Sequence, residues 1–475
     1  MITPWANEEA ATADLGDERL DARMAVLLSA LGNRPNLSIP AACGGKAEMA
    51  AAYRFFDNDK VTFDKVLGPH IARTKERLRG QKTVLMVQDT TEIDLTRPEQ
   101  EVVGAGTLDG VRPGVLLHEM QAFGPDGVPL GTVWAEVNNR TEGVSHASAK
   151  QRSERQRTPI EEKESLRWLT GLRQAREVAK QLPGITCVCL ADSEADIYEL
   201  PAEPCGEPAV HWLIRACQDR ALQEESPERL RETLLAAPVL YEVELQARAR
   251  EAKTQAKDGV RGTARRGRQL KAEVRAAKVT LRPPWRHDRK LPPVEANVVL
   301  VREINPPAGE TPVEWILVTT LPIDTPEQVR TIVEYYCVRW NIEIFFRTLK
   351  SGCRIERRRF EHVDRVLPCL SMYLIVAWRT LFVCHMGRSC PDADCETIFE
   401  PSEWKAVWTA VHRKKPPKKR PRLSTIVHLV ARLGGYVERP NSEPGPQTVW
   451  IGLQRMYDLA WAWDTFGPEG TALAG

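Results

Sequence analysis

The chain has 475 residues, too many for one ordinary core, and is 42% hydrophobic and 27% charged, which excludes disordered and collagen-like classes. A net charge of +2 argues by itself neither for nor against a nucleic-acid partner. The eleven cysteines form no CxxC pair and read as thiols of a reducing cytoplasm rather than a disulfide frame or zinc site, and MITPWANEEA lacks the basic-then-apolar pattern of a secretory leader.

Residues 1–78 read as helical. LGDERLDARMAVLLSALG places Leu20, Met24, Leu27, Leu28 and Leu31 at helical spacing, and a second helix is expected over Lys46 to Phe56. From Thr83 the texture changes to strands: TVLMVQD, then VLLHEMQAF and VPLGTVWAEV with GPDG as the turn between them. A long amphipathic helix is expected from Glu161 to Gln181, then a strand ITCVCLAD, a short helix SEADIYEL and a fifth strand AVHWLIRA. The order βββαβαβ describes an α/β domain whose later strands are parallel and buried.

About 110 residues of different character follow. VLYEVELQARAR alternates strictly between apolar and polar positions, and KVTLR, ANVVLVRE and EWILVTT continue as strands, so this stretch reads as a β insertion at about 223–320. Its loop carries the first of two basic segments: Arg248 to Lys290 holds 15 Lys or Arg against four acids. The second, Arg413 to Arg422, has seven basic residues among prolines and no acid. Both suit contacts to a phosphate polyanion, and both equally suit solvated loops. After Pro322 the chain turns helical from about Thr325 to Cys353. The apolar stretch from Cys369 to Met386 is interrupted by Arg379 and falls short of the roughly 20 residues a membrane helix needs. It reads as a buried helix.

Three acids stand out. Asp89 ends the apolar run from Thr83, and Asp192 ends the run from Ile185. Acids beyond the carboxyl ends of strands in an open α/β sheet are placed to hold a metal, although Asp89 equally suits an Asx turn and Asp192 a cap for the turn starting at Ser193. The third is Glu343, within Tyr336-x2-Arg339-x3-Glu343-x3-Arg347-x2-Lys350. At about 100° per residue these five positions fall within roughly 80° of one helix face. Solvated salt bridging is one reading of such a stripe. The apolar flanks Trp340, Ile342, Phe345, Phe346 and Leu349 favour a packed helix with one polar, mostly basic face around a single Glu.

The spacing of Tyr336, Arg339, Glu343 and Lys350 resembles the Y-x2-R-x3-E-x6-K signature of cut-and-paste DDE transposases of bacterial insertion sequences, in the Tn5-like branch of the insertion-sequence-four group. LGDERLDAR, AAYRFFDN, QDTTEIDL, EKESLRWL and LADSEADIYEL add to the likeness, which runs from about residue 13 to 360; the last hundred residues match only loosely. The resemblance implies an RNase H-like α/β core with Asp89, Asp192 and Glu343 as an acidic triad for two Mg²⁺ ions, with Mn²⁺ as a substitute. It makes Glu92, Asp94, Glu194 and Asp196 neighbours rather than ligands. Trp315 corresponds to a tryptophan that stacks on a flipped base, although a plain core role suits it too. Tyr336, Arg339 and Lys350 are implied as phosphate contacts, with Arg347 and Arg215 as further candidates.

Three parts are therefore expected: an N-terminal helical DNA-binding domain (1–78), an RNase H-like catalytic domain (79–365) and a C-terminal helical dimerisation region (366–475). The implied partners are double-stranded DNA, both transposon ends and target, and a second copy of the chain in a synaptic homodimer. The implied location is the cytoplasm, with no membrane partner. The resemblance implies cut-and-paste transposition, with end cleavage through a hairpin intermediate and then strand transfer, and a simple two-metal nuclease of the same fold is disfavoured by Tyr336, Arg339, Lys350 and Trp315, since hydrolysis needs no hairpin apparatus. A silent DNA-binding regulator is disfavoured by the unbroken triad.

Overall fold

In the computed structural model, which describes residues 2–97, 99–140, 158–204, 206–223, 228–247, 266–439 and 442–468, helices and strands follow one another as the texture of the sequence suggests. The order is α1 (Pro4–Glu9), α2 (Glu18–Asn33), α3 (Ile39–Cys43), α4 (Lys46–Phe56), α5 (Phe63–Leu78), β1 (Thr83–Asp94), β2 (Gly114–Phe123), β3 (Pro129–Asn138), α6 (Leu166–Ala179), β4 (Thr186–Ala191), β5 (His211–Ala216), α7 (Leu230–Ala236), β6 (Val239–Ala247), β7 (Arg268–Leu281), β8 (Val294–Glu303) and β9 (Glu314–Thr319). The chain then continues as α8 (Pro326–Val338), α9 (Trp340–Arg347), α10 (Val363–Ser389), α11 (Pro401–His412), α12 (Leu423–Leu433) and α13 (Pro446–Phe466). These elements form two interleaved units. The first takes Met1–Val84, Asp89–His146 and Trp340–Gly475, and the second takes Leu85–Gln88 and Ala147–Arg339.

Local chemistry explains where elements begin. Asp17 caps α2 by accepting from Arg19 N at 2.9 Å, and Met24, Leu27, Leu28 and Leu31 then line its buried stripe. At α8, Thr325 and Gln328 form a capping box and Pro326 occupies the first turn, where no backbone donor is needed.

In the first unit the strand order is β3-β2-β1, with β2 and β3 antiparallel across the GPDG turn, where Gly127 takes the positive φ of 83° that the turn demands. Helix α10 packs on α5 and β3 and is buried along most of its 27 residues; Trp378 Nε1 donates to Pro129 O at 2.9 Å. By length and composition α10 could cross a membrane, but 83% of its most apolar window is buried, as suits a core helix. The expected apolar stretch was thus part of a longer helix. A buried polar network ties α1 to α5. Glu9 meets His70 Nδ1 at 2.5 Å and Arg77 at 2.6 Å, and Thr132 N donates to His70 Nε2 at 3.1 Å. Since Nε2 accepts, His70 is neutral and donates from Nδ1 to Glu9. Nearby, Thr132 Oγ1 donates to Glu119 at 2.7 Å. Where α12 meets α13, a Cβ on Gly434 would collide with Thr448 O and one on Gly452 with Val430 O, so backbone lies directly on backbone.

In the second unit the order is β1-β4-β5-β9-β8-β7-β6, with β1 represented by Leu85–Gln88. β4 and β5 are parallel, as expected of the later core strands, and every pairing from β5·β9 outwards is antiparallel. The expected strands of 223–320 are all present; residues 248–265, with six of the fifteen basic residues of the first basic segment, lie outside the described residues.

The structure corrects four sequence expectations. β1 does not stop at Asp89 but runs on to Asp94; burial, not pairing, is what changes there, with Val84–Gln88 buried and Asp89 half exposed. The helix expected from Glu161 is a 3-10 turn, Ile160–Glu162, followed by the shorter α6. SEADIYEL is a 3-10 turn at Ser193–Ala195 rather than a helix, because Asp192 and Asp196 draw its backbone and flanking loops into side-chain bonds. The single helix expected over 325–353 is broken at Arg339 and ends in a π turn, Thr348–Gly352. The wider turn begins after Arg347 and so shifts the angular position of Lys350 alone among the five polar residues; Tyr336 and Arg339 are buried, Glu343 and Lys350 half exposed, and Arg347 exposed.

Candidate functional site

In the second unit, Asp192 follows β4 and is half exposed. Its Oδ1 accepts from Glu194 N at 2.7 Å, which is the capping role open to it on sequence grounds. Asp196, four residues on, is in a different state. It is 3% exposed and held by Cys217 N at 2.8 Å, Gln218 N at 3.0 Å and the Arg220 guanidinium. All this donation leaves Asp196 as a buried strut that fixes the loop after β5. Glu194 faces solvent and pairs with Arg167 at 3.4 Å.

Tyr336 on α8 is the hub of this unit's candidates. It is fully buried, its ring centroid is 5.6 Å from that of Trp315 on β9 at 59°, and Arg339 lies 5.7 Å from the ring. Burial raises the Tyr336 phenol above its usual range; the charges of Arg339 and Arg215 oppose this, and the charge of Asp192 adds to it. Four residues singled out from sequence, Asp192, Arg215, Trp315 and Arg339, are therefore electrostatic or ring neighbours of the phenol of a fifth, Tyr336. Arg215 reaches it from β5, paired across to Leu317 of β9. Trp315 is half exposed rather than sealed in the core.

In the first unit, Asp89 is half exposed on β1, and its Oδ1 accepts from Thr90 N at 2.7 Å, a bond to the next residue inside the strand rather than an Asx turn, which closes on the residue two further on. Thr90 in turn meets His118 of β2 at 2.8 Å. Glu343 is half exposed in the first turn of α9. Lys350, in the π turn, stands 3.7 Å from Glu356, which accepts from Asp94 N at 3.2 Å, so a charged relay links the π turn to the end of β1. Glu92 and Asp94 share the Arg112 guanidinium at 2.9 and 3.1 Å. Arg347 lies outside this chain of contacts and donates to Gln447 at 3.3 Å.

Among the described residues, no group of three or more His, Cys, Asp or Glu side chains is gathered as a metal centre. The chemistry of the donors nevertheless suits a hard divalent cation: Asp89, Asp192 and Glu343 are all carboxylates, and all are partly exposed where Asp196 is buried. Every cysteine among the described residues is a free thiol, and Cys187 and Cys189 are buried on β4, where burial raises them to about 11 and about 12. They are poor ligands.

Sequence reasoning missed Asp196 as a strut and the Glu9–His70–Arg77 network; neither lone acid carries a local signal. Three family models match the chain. One described as transposase DNA-binding matches residues 2–61, one described as transposase DDE domain matches 170–377, and one described as transposase Tn5 dimerisation domain matches 375–461. The DDE match includes Asp192, Trp315, Tyr336, Arg339, Glu343 and Lys350, while Asp89 precedes it. The last match reaches into the segment that reads by eye as only loosely similar.

Proposed function

This chain belongs to the Tn5-like DDE transposases, DNA-binding and dimer-forming enzymes that cleave and join DNA, and from that premise we propose that it moves a DNA segment by cut-and-paste through hairpin-ended intermediates. The observation that carries the reading is the gathering of Asp192, Arg215, Trp315 and Arg339 about the buried Tyr336. A bare hydrolase has no need for an aromatic pair flanked by guanidinium groups beside an acid.

Asp89, Asp192 and Glu343 are the carboxylates that would hold the two divalent cations, Mg²⁺ with Mn²⁺ as a substitute, on an RNase H-like core carrying residues of about 223–320 as a β insertion. Such ions, when bound, lower the pKa of an attacking oxygen and stabilise the departing one. The residues of the chain do the positioning. Arg339, buried and pinned against Tyr336, offers a planar fork to a phosphate; Lys350 and Arg215 add point charge. Trp315, with a half-exposed ring already supported by Tyr336, offers a surface on which an unstacked base can rest, relieving the tight turn of a hairpin. Residues 1–78 grip the ends, residues 366–475 pair two copies, and the work is done in the cytoplasm.

The test incubates purified chain and Mg²⁺ with duplexes taken from the flanks of its own gene. Hairpin and strand-transfer products are expected, and Asp192→Asn or Glu343→Gln should lower their yield about 10³-fold, consistent with the several kcal/mol that metal-held carboxylates contribute. Nicks without hairpins would point to a nuclease, and binding without cleavage to a regulator.

A further inference from the structure

Within the first unit, a cavity of about 550 Å³ opens beside the end of α9. Arg347, Arg354 and Arg455 line it together with Gln447, Gln454 and Asn36, and none of the described lining residues is a carboxylate. Three guanidinium groups around one cavity repel each other, and an arrangement of this kind is kept at a cost unless an anion occupies it. Two details point to a ligand. Gln454 Nε2 is buried without a hydrogen-bond partner among the described residues, a donor left unmet at the wall of the cavity. Arg354 takes a left-handed backbone, φ 51° and ψ 42°, which a non-glycine residue adopts only at a cost. The other two arginines are partly engaged: Arg347 donates to Gln447 and Arg455 to Leu433 O.

We propose that this cavity is a phosphate-binding pocket that takes a backbone phosphodiester of duplex DNA, with Arg354, Arg455 and Gln454 as its principal donors. The inference rests on the transposase reading and adds a contact to it. Its walls come from three stretches, Asn36 from the segment matched as DNA-binding, Arg347 and Arg354 from the DDE match, and Gln454 and Arg455 from the dimerisation match. A phosphate held by Arg354, Gln454 and Arg455 bonds to the second and third of these stretches at once, with Asn36 of the first at the wall. The contact is blind to sequence, because phosphates fix register and orientation without reporting base identity.

Arg354→Gly is the discriminating variant, since glycine removes the guanidinium and relieves the left-handed backbone, so the protein should melt at the same temperature or higher. Gln454→Leu is the second, removing the unmet donor with little change of volume. Affinity of the full chain for a duplex of any sequence is measured across a salt series. Each variant should weaken binding about tenfold near 0.1 M salt, and Arg354→Gly should flatten the slope of log K against log salt by about 0.9, the loss of one phosphate contact. Unchanged affinity and slope in a folded Arg354→Gly would overturn the pocket while leaving the transposase reading intact. If the unmodified chain binds no duplex at low salt, both fall. If inorganic phosphate raises the melting temperature of the unmodified chain but not of Arg354→Gly, while the DNA slope stays the same, the pocket takes a free phosphate and the DNA assignment is overturned.

Discussion

Glu9 and Asp192 are both carboxylates near the start of a helical or 3-10 turn or its end, yet they live in opposite surroundings. Glu9 is 3% exposed and enclosed by His70 and Arg77; burial alone would raise it, but those two partners outweigh burial and hold it at about 2. Asp192 stays partly exposed, with a backbone donor from Glu194 N at 2.7 Å. The same contrast separates Asp196 from Asp192 over four residues. Glu9 and Asp196, which hold this fold together, are sealed in with a guanidinium or an imidazole, whereas Asp89, Asp192 and Glu343, the acids proposed for chemistry, are each partly exposed. An acid that must exchange ligands cannot also be a strut.

The comparison breaks most severely at Arg77. Arg77→Met should cost about 3–5 kcal/mol of stability in urea melts, because it leaves Glu9 buried without its guanidinium. The sign with pH follows from the lowered Glu9: its stabilising share is complete above about 4.5 and is lost as pH falls toward about 2. The variant should therefore show a shallower acid decline than the parent, and parallel curves would show that Arg77 does not hold the Glu9 charge.

Glu119 gives a middle-sized effect of opposite sense. Burial raises it to about 8, with only the Thr132 hydroxyl opposing, so the folded protein keeps it protonated and loses stability as pH climbs from about 4.5 to about 8. Glu119→Gln removes that titration and should stabilise the protein by about 1–3 kcal/mol at the alkaline end, where a charged buried carboxylate is poorly satisfied. Thermal melts at several pH values check it; a variant that still weakens with rising pH rules out Glu119 as the source.

The smallest effect belongs to the open acid. Asp192→Ala removes a cap and should cost about 1 kcal/mol, and Asp192→Asn, which keeps an acceptor, only a few tenths. Denaturant titration of the two variants measures how little of the fold rests on this residue. A loss as large as that at Arg77 would place Asp192 among the struts.

Much of this was legible from residue order. The α2 stripe, α4 at Lys46–Phe56, the β2–β3 hairpin and the four strands beyond Ala237 follow from periodicity and turn residues, because one-sided burial writes itself into spacing. Burial also misleads. The apolar run of β1 ends at Gln88, but its ladder carries the polar Asp89–Asp94 onward, since a strand needs backbone partners rather than apolar side chains. The break at Arg339 has no proline or glycine to announce it, and the π turn is invisible to a count that assumes 3.6 residues per turn. Of the candidate site, spacing and resemblance single out Asp192, Arg215, Trp315, Tyr336 and Arg339, which the fold gathers around one phenol. Which acids are sealed was not readable, because that depends on Arg77 and Arg220 arriving from elsewhere in the chain to meet Glu9 and Asp196.

At the corner of α12 and α13, Gly434 and Gly452 let main chain rest on main chain. No rotamer there can absorb a change, so the two helices are welded rather than hinged, and any larger residue on either side must pry apart the whole elbow. Drift in this part of the protein is thereby confined to the outward flanks of the two helices, and whatever surface they present to another molecule keeps its angle while its side chains vary.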